Sequence, residues 1–249
     1  MFETTRGLVL RYARYKESDK ILTVLTESEG KLTLRARGAL RKGGKLAAAT
    51  ELYTLSEMTL FSNRGRWQLN EAQTIEQFIG LREDFGALAL AGYFAEVLDT
   101  VSDEGQSDPA VLQLGLNCLY ALSRELAPAS VVKAVFELRL MAITGYEPEL
   151  SGCAGCGRQD MERAYFYAPE GAVFCGDCVA KAPGAVTQLL PETLSAMRHI
   201  VYSAPKKIFS FSLDAAAEAQ LAACSEQYLL LQLERGFSSL DYWKKVKDL

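Results

Sequence analysis

The sequence predicts a multidomain α+β chain, with a small β-barrel first and then a helical domain that a cysteine-rich insert interrupts. Three observations predict it. Short strand-like segments fill the first 78 residues, apolar residues recur at three- and four-residue spacing after residue 80, and two Cys-x2-Cys pairs follow. We therefore expect the barrel over 1–79, helical segments over 80–149 and 181–249, and the insert over 150–180.

Length and composition exclude several classes of protein. The 249 residues are 49% hydrophobic and 23% charged, as in ordinary globular proteins. No apolar run approaches the about 18 residues of a membrane span. The first six residues include an acid and no apolar segment, which is unlike a secretion signal. We expect a cytoplasmic protein that does not enter a membrane.

The charge differs between the two ends of the chain. Residues 1–78 contain 13 Lys and Arg against 9 Asp and Glu, a balance of +4, and the rest contains 14 against 22, a balance of −8, which together make the net −4. Such asymmetry indicates a polyanion-binding part beside an acidic part.

The front end contains five strand candidates, which are 7–12, 21–26, 31–35, 52–61 and a segment that begins at Trp67. In the third candidate Leu32 and Leu34 share one face, and the polar residues share the other. Five short strands in fewer than 80 residues fit a small barrel. An antiparallel sheet packed on helices is the alternative.

Helical periodicity begins near residue 80. Asp108 and Pro109 have the pattern of a helix cap followed by proline at the first helical position, and a further helix ends at Gly145. After the insert, helices are predicted from Pro191 and over 212–235, and the segment 238–241 has the pattern of a capping box. Two isolated cysteines, Cys118 and Cys224, lie on apolar helical stretches and are interpreted as core residues.

The insert has the spacing of a four-thiolate metal site. Its four cysteines are Cys153, Cys156, Cys175 and Cys178. Two Cys-x2-Cys pairs about twenty residues apart in a cytosolic chain are typical of a structural Zn²⁺ site, and four thiolates leave no open position for catalysis. A redox dithiol needs only one such pair, disulfides are disfavoured in a reducing cytosol, and a vestigial site or another metal is the remaining alternative.

A basic stretch over residues 31–45 begins in the third strand candidate and continues toward the fourth. It contains no acid and six cations, which are Lys31, Arg35, Arg37, Arg41, Lys42 and Lys45. Because glycines punctuate it, the segment suits contact with a nucleic-acid backbone, and Tyr53, Phe61 and Trp67 are candidates for stacking on bases. The alternatives are a solvated charged loop and aromatic side chains that belong to the core.

Catalytic patterns are scarce in this sequence. A phosphate-binding loop is rejected because Gly44 occupies the place of the required lysine after Gly38-x4-Gly43. The single histidine, His199, has no partner pattern for a triad, and the acidic pairs are adjacent in sequence. We therefore expect a protein that is not an enzyme.

Taken in order along nearly all 249 residues, the motifs resemble the RecO family of bacterial recombination mediators. The similar segments are 5–10, 17–21, 30–32, the basic segment 37–42, the helical segments 136–139 and 145–148, and the double Cys-x2-Cys. The resemblance implies an OB-fold barrel, then a helical domain with an inserted zinc finger.

The resemblance also implies a function in DNA repair. Members of the family bind single- and double-stranded DNA and anneal complementary strands. With RecR they help RecA to displace the single-stranded-DNA-binding protein, whose acidic C-terminal tail they contact. The resemblance therefore implies a nucleoid-associated protein. For that tail we predict a groove near Lys133 and Arg139, the alternative being a packed core with two surface cations. A zinc-ribbon accessory factor of transcription or translation is the alternative function, and a nuclease would need clustered carboxylates.

Overall fold

The computed structural model describes residues 2–63 and 65–247. The packing separates the chain into two compact units. The barrel unit comprises residues 1–124 with 237–249, and the finger unit comprises residues 125–236. The predicted division into domains at 79/80, 149/150 and 180/181 stays a prediction.

Five strands form a closed barrel. They are β1 (Phe2–Tyr15), β2 (Asp19–Thr26), β3 (Gly30–Ala36), β4 (Leu55–Asn63) and β5 (Arg66–Glu76), in the order β1-β2-β3-β5-β4. Neighbouring strands are antiparallel except β3 and β5, whose parallel pairing aligns Leu34 with Trp67. The predicted barrel is confirmed, and the alternative of an open antiparallel sheet is wrong for this segment.

Strand β1 closes the barrel because it pairs on both sides. Its residues from Gly7 onward align with β2, while its first residues align with β4, and Gly7 itself faces both Thr26 and Ser56. A Cβ atom at Gly7 would lie 2.6 Å from Cγ1 of Val24. The close approach of the strands at this point therefore requires glycine.

The interior of the barrel is apolar, and β3 shows the alternation that the sequence predicts. Leu32 and Leu34 are buried, whereas Thr33 between them is exposed. The other strands contribute the remaining buried side chains, which include Val9, Leu22, Val24, Met58, Leu60 and Leu69. Each such side chain stabilises the fold by about 1.5–3 kcal/mol relative to an exposed one, so the barrel has a core of its own.

Six helices lie in the described residues. They are α1 (Phe85–Val101), α2 (Pro109–Ser123), α3 (Ala129–Ile143), α4 (Pro191–Tyr202), α5 (Ala215–Gln232) and α6 (Ser238–Val246). Helices α1, α2 and α6 belong to the barrel unit, and the other three belong to the finger unit. Cys118 in α2 and Cys224 in α5 are buried, as predicted. Among the described residues, no helix has both the length and the apolar character that crossing a membrane requires.

One predicted helix cap is confirmed and another is wrong. The Asp108 carboxylate accepts hydrogen bonds from the backbone N–H groups of Ala110 and Val111 at the start of α2. The capping box at 238–241 does not form, because Ser238 is already helical. The N–H of Ser239 lies in the first turn of α6 and has no acceptor within the helix. It donates instead to the Glu96 carboxylate of α1 at 3.1 Å, a tertiary contact that no local pattern predicts.

The finger unit contains a four-stranded sheet beside its helices. The strands are β6 (Glu149–Cys153), β7 (Ala164–Tyr167), β8 (Ala172–Cys175) and β9 (Thr187–Leu189), in the order β6-β8-β7-β9. A 3-10 turn, Ala168–Glu170, joins β7 to its antiparallel neighbour β8. Strands β6 and β8 are parallel, so their carboxyl ends lie at the same edge of the sheet.

Candidate metal centre and nucleic-acid interface

The four cysteines of the insert form one cluster in the finger unit. Cys153 and Cys175 end the parallel neighbours β6 and β8, and the second cysteine of each pair follows in a turn. All four sulfurs lie within 4.8 Å of one another, and the Sγ atoms of Cys156 and Cys175 are 3.8 Å apart. Four sulfurs about 2.3 Å from one tetrahedral metal ion are about 3.8 Å from each other, so the cluster fits such an ion.

Backbone groups support the cluster. The N–H groups of Gly155 and Cys175 donate to Sγ of Cys153 at 3.3 and 3.2 Å. A Cβ atom at Gly155 would lie 2.8 Å from Cβ of Cys178, so only glycine lets the two cysteine turns approach this closely. Sequence reasoning missed Gly155, although a glycine between the two cysteines of the first pair is a visible signal.

The thiols of the cluster differ in acidity. Burial alone would raise the pKa of Cys153, but backbone N–H donors, that of Cys175 first, outweigh it and lower the pKa to about 6. Burial and the hydrogen bonds from neighbouring thiols raise the pKa of Cys178 to about 12. The Cys153 thiolate therefore forms readily near neutral pH, while the proton of Cys178 leaves only when a cation replaces it.

Apolar neighbours cover the cluster. Phe174 is buried with Cys153, Cys175 and Cys178, and Tyr167 packs against them. Four thiolates in a closed tetrahedral set suit Zn²⁺ and leave no position for a substrate. A metal ion held there would cross-link the turns of the insert.

The cationic loop, residues 37–45, leaves the barrel after β3. Because β5 lies between β3 and β4 in the barrel, the chain must cross to β4 through a long connection. Arg37, Arg41, Lys42 and Lys45 are exposed there. Among residues 2–63 and 65–247, no carboxylate lies within ion-pair distance of these four cations.

Two adjacent residues of β2 hold both ends of the connection that contains the cationic loop. The Asp19 carboxylate accepts a hydrogen bond of 2.9 Å from the N–H of Gly38. The Lys20 ammonium, 1% exposed, donates to the carbonyl of Thr50 at 3.0 Å and to the Glu51 carboxylate at 2.8 Å. Sequence reasoning included both residues in the similar segment 17–21 but gave them no role at the loop.

The remaining two predicted DNA-binding cations are paired with acids. Lys31 forms an ion pair of 3.1 Å with Asp99 of α1. Both Nε and Nη2 of Arg35 donate to Oδ2 of Asp19, at 2.9 and 2.7 Å. The hydrogen bond from Gly38 and the Arg35 guanidinium lower the pKa of Asp19, so this carboxylate stays charged at neutral pH. DNA binding by all six cations stays a prediction.

The predicted stacking aromatics occupy different environments. Trp67 packs partly against the barrel core, and Phe61 lies 5.0 Å from the ring of Phe2, centroid to centroid. Burial raises the pKa of the Tyr53 hydroxyl, as expected for a partly covered ring. The three residues are therefore only partly available to a base, in line with the core alternative.

The predicted exposure of Lys133 is wrong. Residues 131–138 of α3 are all buried, and the Lys133 side chain is 1% exposed. Its ammonium pairs with Glu137 and Glu226, each at 2.9 Å. The charge predicted a surface position, but α3 is surrounded by protein and the acids compensate the buried cation. This ammonium is not free to bind a partner's carboxylate.

Arg139 is a half-buried residue of α3 whose guanidinium contacts the carboxyl end of helix α4. Its Nη1 donates to the carbonyl groups of Ile200 and Val201, which belong to the last turn of the helix. These carbonyls have no partner within their own helix, so the guanidinium satisfies them and complements the helix dipole. Partner binding by Arg139 stays a prediction.

The fold and the two sites define a class of protein in which a closed five-stranded barrel displays a cationic loop and a helical unit contains a four-thiolate cluster. Family models agree with this division of the sequence. The model for the N-terminal part of recombination protein O matches residues 1–78, and the model for its C-terminal part matches residues 82–241. The chain belongs to the RecO family.

Curated relatives match over nearly their whole length. The DNA repair protein RecO of Acetivibrio thermocellus is 32% identical over 97% of this chain and 96% of the relative. The proteins of the same name from Desulforudis audaxviator and Symbiobacterium thermophilum are 32% and 30% identical, also over 97% of this chain and 96% of each relative.

Replacing Lys133 by methionine should destabilise the finger unit. The change leaves Glu137 buried without its cation, and breaking a buried pair in this way costs about 3–5 kcal/mol. Urea denaturation measures the loss, and Lys181→Met, at an exposed lysine, is the control with an expected change below about 0.5 kcal/mol. A loss below about 1 kcal/mol in Lys133→Met would contradict the structural role.

Metal affinity of the cluster should increase between pH 6 and pH 8. A metal ion must displace the proton of Cys178, whose pKa is about 12, and displacement becomes easier as proton concentration falls. Titration of metal-free protein with Zn²⁺ in buffers of different ionisation enthalpy measures affinity and proton release. Cys153→Ser should lose tight binding, whereas Cys224→Ala, outside the cluster, should retain it. Affinity that does not depend on pH would contradict the prediction.

Proposed function

We propose that this protein is a DNA-binding recombination mediator in DNA repair. It binds and anneals single strands and, with RecR, helps to load RecA onto strands covered by the single-stranded-DNA-binding protein. The observation that carries the proposal is the group of four exposed cations on the barrel of a RecO-family chain, none of which has an acidic partner within the described part of the chain. The protein acts by holding strands and has no catalytic step.

The contrast between free and paired cations supports a phosphate-binding role for the cationic loop. Lys20, Lys31 and Arg35 are paired with acids, so their charges contribute less to the field in solvent. No carboxylate of the residues that the structure describes pairs with the loop cations, so they can replace the counterions of a nucleic-acid backbone. Because they contact phosphates, binding should depend on salt and hardly on base sequence.

Both ends of the connection are held, and this suits strand annealing. Asp19 and Lys20 fix the chain on either side of the exposed cations. Less conformational entropy is then lost when a phosphate backbone binds. A positive surface that is indifferent to sequence can accept a second strand, because phosphate repulsion falls when cations lie between the strands.

In this proposal the four-cysteine cluster holds a structural Zn²⁺. Cys153, Cys156, Cys175 and Cys178 supply four thiolates that fit a tetrahedral ion. The ion would order the insert without taking part in any reaction. The acidic tail of the single-stranded-DNA-binding protein is proposed as a partner of the finger unit, with Arg139 as a contact, while Lys133 is excluded by its buried ion pairs.

Removing cations from the loop should lower the salt dependence of DNA binding. We expect the triple variant Arg37→Ala, Arg41→Ala and Lys42→Ala to reduce the slope of log K against log salt by up to about 3, which is about 1 for each lost phosphate contact. Fluorescence anisotropy with a single-stranded oligonucleotide across a salt series measures the slope.

A control with the same loss of charge is available in the finger unit. Lys181, Lys206 and Lys207 are exposed, and their triple alanine variant should leave the slope unchanged. Equal effects of the two triple variants would show only a general dependence on net charge. That result would contradict a DNA site at the loop.

Mediator activity should depend on the cationic loop and on RecR together. We expect the protein to anneal complementary strands covered by the single-stranded-DNA-binding protein, and to accelerate RecA assembly on such strands only when RecR is present. The loop triple variant should lose both activities, whereas the finger-unit triple variant should retain both. Annealing of bare strands at the uncatalysed rate would contradict the proposed function.

A further inference from the structure

An exposed tyrosine lies beside the cationic loop. Tyr15 is the last residue of β1 and is 42% exposed. It aligns with Asp19 across the turn to β2, and Asp19 accepts the hydrogen bond from Gly38 at the start of the loop. A second hydrogen bond, from the N–H of Leu40 to the carbonyl of Ser18, joins the loop to the same turn. The ring and the loop therefore belong to one surface.

Arg35 and Lys16 surround the Tyr15 ring with positive charge. The guanidinium carbon of Arg35 lies 5.2 Å from the ring centroid, and Nζ of Lys16 lies 5.6 Å from it. Both distances are within the range of cation–π attraction. Asp19 holds the Arg35 guanidinium through two hydrogen bonds, so the ring and its planar neighbour are ordered before a ligand binds.

We propose that Tyr15, supported by Arg35, is a stacking site for an unpaired base of the strand whose phosphates contact the cationic loop. Sites for single strands combine a positive groove with exposed aromatic rings. Bases of a duplex are stacked on one another and do not present a free face. Tyr15 would therefore make the barrel prefer single strands over duplexes. The inference rests on the proposed DNA-binding function and names the structure of the strand that the site selects.

The charge of Arg35 supports this assignment. Asp19 neutralises its guanidinium, so Arg35 is a weaker phosphate ligand than the exposed cations of the loop. The guanidinium lies over the Tyr15 ring and, held by Asp19, keeps the ring in one orientation. Arg35 is thus a positioning residue for Tyr15, and the phosphates are left to the loop.

The chain provides a matched control for Tyr15. Tyr120 of α2 is 46% exposed, and the guanidinium carbon of Arg124 lies 5.8 Å from its ring centroid. The pair has the same chemistry as Tyr15 and Arg35, but it lies on a helix and not on the barrel. Any effect of losing an exposed tyrosine as such should appear at both positions.

The test measures the affinity of four proteins for three ligands. The proteins are wild type, Tyr15→Leu, Tyr15→Phe and Tyr120→Leu, and the ligands are an oligothymidine strand, an abasic strand of equal length and a duplex. Tyr15→Leu should bind the oligothymidine about 5- to 100-fold more weakly, the effect typical of one lost stacking contact. Tyr15→Phe and Tyr120→Leu should resemble wild type.

Two further readouts separate stacking from a structural effect. The abasic strand has no base to stack, so wild type and Tyr15→Leu should bind it equally, and they should also bind the duplex equally. The slope of log K against log salt should be the same for both proteins, because no phosphate contact is removed.

The outcomes distinguish this inference from the function on which it rests. Unchanged oligothymidine affinity in Tyr15→Leu, while the loop triple variant binds weakly, would overturn the stacking site alone. An equal loss on the abasic strand or the duplex would also overturn it, because the ring would then support the loop and not a base. Failure of wild type to bind any of the three ligands would overturn the proposed function as well.

Discussion

The parallel pairing of β3 with β5 is the constraint on which the candidate DNA surface depends. It is one of the strand pairings that complete the closed barrel, and it also places β5 between two strands that are consecutive along the chain. The connection from β3 to β4 must therefore be long and must cross the surface. A hairpin at this position would have left no room for the cationic loop, residues 37–45. The same contacts that complete the core thus create the exposed segment with its uncompensated charge.

Charge has two different roles in the barrel unit. On the strands, Lys20, Lys31 and Arg35 are paired with acids, and these pairs hold the connection to β2 or fasten α1 to the barrel. In the loop, the cations extend into solvent. The physical reason is the cost of burial: a cation that loses water must gain a carboxylate, whereas an exposed cation keeps its hydration and stays available to a ligand. Net charge alone does not separate these roles.

In the finger unit, too, groups that are charged and buried need a partner of opposite charge. Parallel strands β6 and β8 bring Cys153 and Cys175 to one edge, and Gly155 lets the turns meet. Four thiolates at one point repel each other, so the arrangement is stable with its protons or with a cation in their place. In α3, the buried charges of Lys133 and Glu137 compensate each other in an ion pair, so no metal ion is needed there.

The sequence by itself determined the order of strands, helices and insert, the alternation in β3, and the cysteine cluster, because these depend on periodicity and on short spacings. Only the tertiary structure decided which charges are free. The sequence predicted a surface position for Lys133 and named all six basic residues as candidates for DNA contact, but burial and ion pairing depend on residues far apart in the chain, such as Glu226 and Asp99. The position of Tyr15 beside the loop has the same origin, since strand pairing and the contacts of Asp19 bring them together.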